Sequence, residues 1–247
     1  MILAIRDHNP SGCKPYVTYA LIALNVLIHI YVTVTTYGNN YALYDIYENW
    51  ALIPHQVHYG HDLHGLFSSM FLHADWLHLL GNMWFLYLFG DNVEDEMGHG
   101  WFLLYYLASG ILAAIAQYAF EPYSAIPVIG ASGAISAVMG GYFLLYPLAK
   151  VDFFIFYKIF PIPAFVCLGL WFFIDLFEGV STNPAESEVA YWEHVGGFVA
   201  GFILTLPLWR RRGGRDFWKK TDFHPPHPEA NYDLAGTRMP KISMRRK

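Results

Sequence analysis

Six stretches of this chain read as bilayer-spanning helices, and that count limits its fold more than any other feature. A spanning helix needs about 20 mostly apolar residues, with about 17 to 25 tolerated through tilt. On that template the stretches fall, with unequal clarity, at 16–37, 76–90, 101–120, 132–148, 162–179 and 191–209. Composition agrees, because 55% of the 247 residues are hydrophobic and only 14% are charged, whereas a soluble domain carries roughly a quarter charged residues. The excess apolar surface is expected to face lipid. The expected fold class is an all-α polytopic membrane protein, with a cytoplasmic segment at 1–15, a six-helix bundle at 16–209, and a basic, largely disordered cytoplasmic tail at 210–247. The stretch at 16–37 is too long for a signal-peptide core and is expected to be retained as a helix.

Orientation follows from where Lys and Arg fall, since positive residues beside spans stay on the cytoplasmic side. Arg6 and Lys14 precede the first span, Lys150 and Lys158 lie between the fourth and fifth, and the other eleven of the 15 follow the sixth. With six spans these three regions share one side. The loops at 38–75, 121–131 and 180–190 contain no Lys or Arg, so both termini are expected in the cytoplasm. A chain of net charge −5 with its positive residues on one side does not suggest a nucleic-acid partner. Cys13 and Cys167, one before the first span and one within an apolar run, do not suggest a structural disulfide.

Strongly polar groups inside spans cost a few kcal/mol and are therefore functional candidates. The second span opens with His78 and Asn82, four residues apart and so on one helix face. The fourth opens Gly130-Ala131-Ser132-Gly133, and the sixth carries His194 near its start. At a rise of about 1.5 Å per residue, Ser132 and His194 each lie ~23 Å above the cytoplasmic boundary, His78 ~20 Å and Asn82 ~14 Å. Three helices thus bring a hydroxyl, two imidazoles and an amide to one layer near the outer face. Small residues at four-residue spacing, Gly133, Ala137 and Gly141 on one helix and Gly197 and Gly201 on another, allow close helix approach. A serine activated by histidine requires that closeness. Taken singly, each group has a bland reading: a serine bonding its own helix carbonyl, a histidine satisfying a neighbour, a glycine stripe serving packing.

Together these residues resemble the rhomboid family of intramembrane serine proteases across all six spans. His78 to Asn82 is similar to the family's HxxxN, Gly130 to Gly133 to its GxSG, and His194 with Gly197 and Gly201 to its HxxGxxxG. Glu94 and Gly98 resemble the acidic and glycine positions after the second span, and His73 a recurrent histidine that supports the first loop. The resemblance implies a six-helix rhomboid-like bundle with Ser132 as nucleophile and His194 as general base and then acid, without a third carboxylate. It implies an oxyanion hole from His78, Asn82 and the Ser132 N–H. It implies single-span membrane protein substrates that must unwind locally before cleavage near the outer face, and no cofactor. Three positions depart from the family pattern. Glu193 stands where a small residue is usual, Ser136 where an aromatic often packs on the histidine, and the Trp-Arg pair of the first loop is absent, leaving its aromatic residues as substitutes. Glu193 is about 100° around the helix from His194 and is not expected to orient it.

His55, His58, His61 and His64 recur every three residues in the first loop, and imidazoles suit transition metals. That spacing drifts by about 60° per step on a helix, so an interfacial amphipathic segment is the expected reading rather than a metal site. A transporter or channel is a competing reading of polar groups in six spans, but no inverted repeat is visible. A rhomboid-like protein that binds membrane clients without cutting them is the other alternative, and intact Ser132 and His194 argue against it. An intramembrane metalloprotease ranks last, since its carboxylate and paired histidines are not offered. The expected location is a bilayer, that of a prokaryotic plasma membrane.

Overall fold

The computed structural model describes residues 2–9, 11–183, 187 and 189–224. Among these, the chain runs through β1 (Ile2–Asp7), α1 (Tyr16–Thr35), α2 (Asn40–Trp50), α3 (Pro54–His58), α4 (Gly65–Ser68) and a 3-10 turn at Ser69–Phe71. It continues through α5 (Trp76–Met97), α6 (His99–Phe120), α7 (Ser132–Leu145), β2 (Lys150–Ile155) and β3 (Lys158–Pro163). The last elements are α8 (Ala164–Ser181), α9 (Tyr191–Arg211) and α10 (Arg215–Thr221).

All six expected spans are helices, with shifted ends. α5 runs on to Met97, α7 stops at Leu145, and α8 starts at Ala164 because residue 162 belongs to β3. Three of the helices, α1, α6 and α8, are long and apolar enough to cross a membrane by length and composition. α7 is apolar but has 14 residues, about 21 Å of helix. α5 and α9 carry the polar groups and end charges that dilute their apolar content.

Helix α7 forms the centre. Every one of its residues except Ser132 and Phe143 is buried, and its small side chains let backbones meet. A methyl group added at Gly197 of α9 would stand 2.1 Å from the Gly133 carbonyl oxygen, and one at Gly201 the same distance from that of Ala137. The expected contact between the two small-residue faces is therefore formed. On the opposite flank Glu94, fully buried on α5, accepts hydrogen bonds from the N–H groups of Val17 and Thr18 and from the Thr18 hydroxyl. It thereby satisfies donors that the first turn of α1 leaves open. Gly98 closes α5 at φ +78°, a left-handed conformation that suits glycine, and allows α6 to start at His99.

A three-stranded antiparallel sheet, absent from the sequence expectation, joins the N-terminal segment to the connection between α7 and α8, in the order β1-β2-β3. Asp152 on β2 is buried and receives Arg6 Nε at 2.7 Å and sits 2.7 Å from His8 Nε2. The segment beginning at residue 210, expected to be largely disordered, carries where described the end of α9, a turn, α10 and a second turn. There α10 packs Phe217 into the core, and Trp218 Nε1 donates to the Leu144 carbonyl at 3.0 Å. Residues 225–247 lie outside the described residues.

Candidate active site

Asp75 starts α5 by accepting the His78 N–H at 2.8 Å, an N-cap that fixes where the helix begins. His78 then falls in the first turn and Asn82 one turn deeper. Both line a cavity of ≈ 760 Å³ together with Ser132 from α7 and His194 from α9. Ser132, His78 and His194 are half-buried and Asn82 is buried.

Gly130 sets the serine. Its N–H donates to the Ser69 carbonyl at 3.0 Å, and its φ is +135°. A methyl group there would stand 2.9 Å from His78 Nε2 and 3.5 Å from Ser132 Oγ, so both atoms lie close to one point and only a glycine leaves the space. The first backbone bond of α7 runs from the Ile135 N–H to the Ala131 carbonyl. The Ser132 N–H therefore belongs to the open donors of the helix N-terminus, where the helix dipole favours negative charge. Asn82 Nδ2 is a buried donor without a partner among the described residues, and such a group normally has one.

His194 Nδ1 lies 3.1 Å from Oδ2 of Asp175 on α8. The resemblance implies no carboxylate on this histidine, and the structure supplies one. Trp171, one turn before Asp175 on α8, lies against the imidazole with ring centroids 5.6 Å apart and planes 30° from parallel. Aromatic support absent at position 136 thus comes from α8, while Ser136 Oγ donates to the Ser132 carbonyl at 2.6 Å. Among the described residues Glu193 makes no hydrogen bond to the His194 ring, whose Nδ1 faces Asp175 instead. The Glu193 carboxylate is buried against Gly133, where an added methyl would meet Glu193 Oε1 at 2.9 Å, and the Glu193 N–H donates to Gln117 Oε1 at 3.0 Å.

His73 is buried beside His78, ring centroids 5.2 Å apart. Burial, then the neighbouring His78 and His29, pushes its pKa down to about 3, which keeps it neutral. The first loop is anchored without a Trp-Arg pair: Leu52 and Val128 exchange both backbone hydrogen bonds, at 3.0 and 2.8 Å, beside the cavity. The histidine run is split, because α3 ends at His58. His58 packs on Tyr59 and Tyr123, and His64 Nε2 lies 2.6 Å from the Asn49 carbonyl.

An integral membrane protein whose separate helices bring a hydroxyl, two imidazoles and an unpaired amide to one cavity defines the class. A family model, the Rhomboid domain, matches residues 60–211, more than half of the chain. The chain is 31% identical over 205 residues to the rhomboid protease GluP of Bacillus subtilis (strain 168), covering 81% of this chain and 36% of that protein. It is 25% identical over 198 residues to rhomboid protein 1, mitochondrial, of Saccharomyces cerevisiae, covering 75% and 51%. It is 40% identical over 80 residues to the putative rhomboid protease YdcA of Bacillus subtilis, covering 32% and 40%. The chain thus spans less than two thirds of each of these relatives. It belongs to the rhomboid family.

Proposed function

We propose that this chain is an intramembrane serine endopeptidase that cleaves membrane proteins within the bilayer. The reading rests chiefly on one observation: Ser132, His194, His78 and the unpaired amide of Asn82 line one cavity. In this reading Ser132 Oγ attacks the scissile carbonyl, and its proton passes to Nε2 of His194. The C–N bond then breaks as His194 returns that proton to the leaving amine, and a water activated by the same imidazole hydrolyses the acyl-enzyme. His78, Asn82 and the Ser132 N–H hold the developing oxyanion, and losing one such donor costs ~10² to 10³ in rate.

The six-span arrangement with both termini cytoplasmic, and single-span substrates cut near the outer face, complete the proposal. Pairing of β1 with β2 supports the orientation, since it brings Arg6 and Lys150 to one end of the bundle. A substrate helix must unwind locally because its backbone groups are already paired in hydrocarbon.

The test is cleavage of a single-span reporter in proteoliposomes by wild type, Ser132→Ala and His194→Ala, with a chelator in parallel. Cleavage by wild type that persists with chelator and disappears in both variants is expected. Folded wild type that binds several helix-weakened reporters and cuts none would overturn the protease reading in favour of a client binder.

A further inference from the structure

We propose that Asp175 is a positioning residue for His194, accepting the Nδ1–H of the imidazole so that Nε2 is the nitrogen presented to Ser132. The inference rests on the serine-histidine reading above and adds a third member to it.

Asp175 is 6% exposed on a helix whose other buried residues are Ala164 and Leu168. Phe173, Ile174 and Phe177 around it are exposed, as on a lipid-facing helix. A carboxylate embedded in such a helix is costly and needs a hydrogen-bonding partner. The partner it has is the ring nitrogen of His194, Oδ2 to Nδ1 at 3.1 Å.

A neutral imidazole carries one proton, and the group bonded to one nitrogen decides which nitrogen holds it. A carboxylate only accepts, so it selects the Nδ1–H form and leaves the Nε2 lone pair free for the serine proton. When that proton arrives, the imidazolium lies against a negative charge that is already in place. Asp175 restrains the ring at its edge and Trp171, from the same helix, at its face. Glu193 does not compete, because its carboxylate lies against Gly133.

A plain structural role, a polar pin between α8 and α9, predicts something different, and two substitutions separate the two. Asp175→Leu removes the acceptor and keeps bulk; Asp175→Asn keeps the shape and a hydrogen bond but can donate as well as accept, so it no longer selects the tautomer. For wild type, both variants, Ser132→Ala and His194→Ala, kcat and KM on the reporter and the thermal midpoint are measured in the same membranes. Positioning predicts that Asp175→Leu lowers kcat by ~10² with KM within about twofold, the signature of an interaction made in the transition state. Its thermal midpoint is expected to fall by no more than the loss of one hydrogen bond, since the partner left behind is a neutral imidazole rather than a buried charge, and kcat is read well below that midpoint. Asp175→Asn is expected to lower kcat by ~10² or more at an unchanged thermal midpoint, because its amide can donate to Nδ1 and stabilise the wrong tautomer, whereas a mere polar pin between α8 and α9 would leave this variant at the wild-type rate. Should the leucine variant fail to fold, Asp175→Asn alone decides, through that fall at an unchanged midpoint.

Wild-type kcat in the folded variants, or a loss that follows only the thermal midpoint, would overturn the positioning role while leaving the serine-histidine reading intact. Cleavage surviving in His194→Ala would instead remove the reading on which it rests.

Discussion

Helices α7 and α8 both serve the cavity, but they are held in opposite ways. α7 buries all but two of its residues and meets α9 backbone to backbone, so Ser132 sits at the end of an element with no room to shift. α8 buries three residues and turns most of its aromatic and aliphatic side chains outward. Its hold on the site passes through two side chains, Asp175 and Trp171, that both meet His194. Ser132 is thus fixed by packing, which is stiff because interiors are dense. The His194 ring is fixed by one hydrogen bond and one ring contact, each weak enough to test alone.

Added bulk gives the largest expected contrast. Gly197→Ala places a methyl 2.1 Å from the Gly133 carbonyl oxygen, so α7 and α9 must separate, whereas at Gly169 of α8 the nearest atom is Phe143 Cε2 at 3.7 Å. Gly197→Ala is expected to destabilise by ~3 kcal/mol and to abolish cleavage. Gly169→Ala is expected to be neutral or to stabilise by up to ~1 kcal/mol, the helix-propensity gain of alanine over glycine. Thermal midpoints in one detergent decide this, and equal shifts in the two variants would show that the helices are held alike.

How far the sequence reveals this arrangement depends on how local each feature is. His78 and Asn82 share a face because four residues make about one turn, and Gly197 and Gly201 meet Gly133 and Ala137 because small residues recur at the same interval. Asp175 carries a signal of its own, an acid inside an apolar run, yet nothing in the order of residues pairs it with His194, 19 positions later. The sheet is hidden for a different reason. The β2-β3 hairpin turns through Phe156 and Tyr157 at φ +46° and +67°, where Asn-Gly or Asp-Gly is the usual signal. Two aromatic residues there read as the approach to a span. Pairing of β1 with β2 bridges more than a hundred residues and leaves no periodic trace. Such contacts become visible only once the helices between them are packed.

Trp171→Ala tests the weaker half of the α8 contact. An aromatic pair contributes ~0.5 to 1.5 kcal/mol beyond buried area, equivalent to about 2- to 10-fold in rate if it acts entirely on the base. The expected result is a fall in kcat of that size, restored by Trp171→Phe, with KM unchanged. A loss as large as that of Asp175→Leu would mean that the ring face, rather than the carboxylate, carries the orientation of His194.

The smallest expected effect on cleavage comes from the opposite end of α7. Asn9 Nδ2 donates to the Tyr142 hydroxyl at 2.5 Å, and that hydroxyl donates to Asp7 Oδ2 at 3.4 Å, while Asn92 Nδ2 donates to the same oxygen at 2.8 Å. Burial, then the nearby Asp91 carboxylate, pushes the Asp7 pKa up to about 8. Between an unfolded value of about 4 and the folded one, the folded chain therefore holds a proton that the unfolded chain has released. Stability must fall as pH rises through that window, and the penalty is complete only above the folded value. Asp7→Asn keeps an acceptor for Tyr142 and Asn92 and removes the titration. Its thermal midpoint is expected to decline less than that of wild type between pH 5 and 8, with the gap widest at the alkaline end and cleavage near neutral pH unchanged. Parallel curves for the two proteins would show that this polar cluster does not govern how firmly the Leu145 end of α7 is held. In that case the rigidity of α7 rests on its packing against α5, α6 and α9, including the Tyr105 hydroxyl that donates to the Ala137 carbonyl.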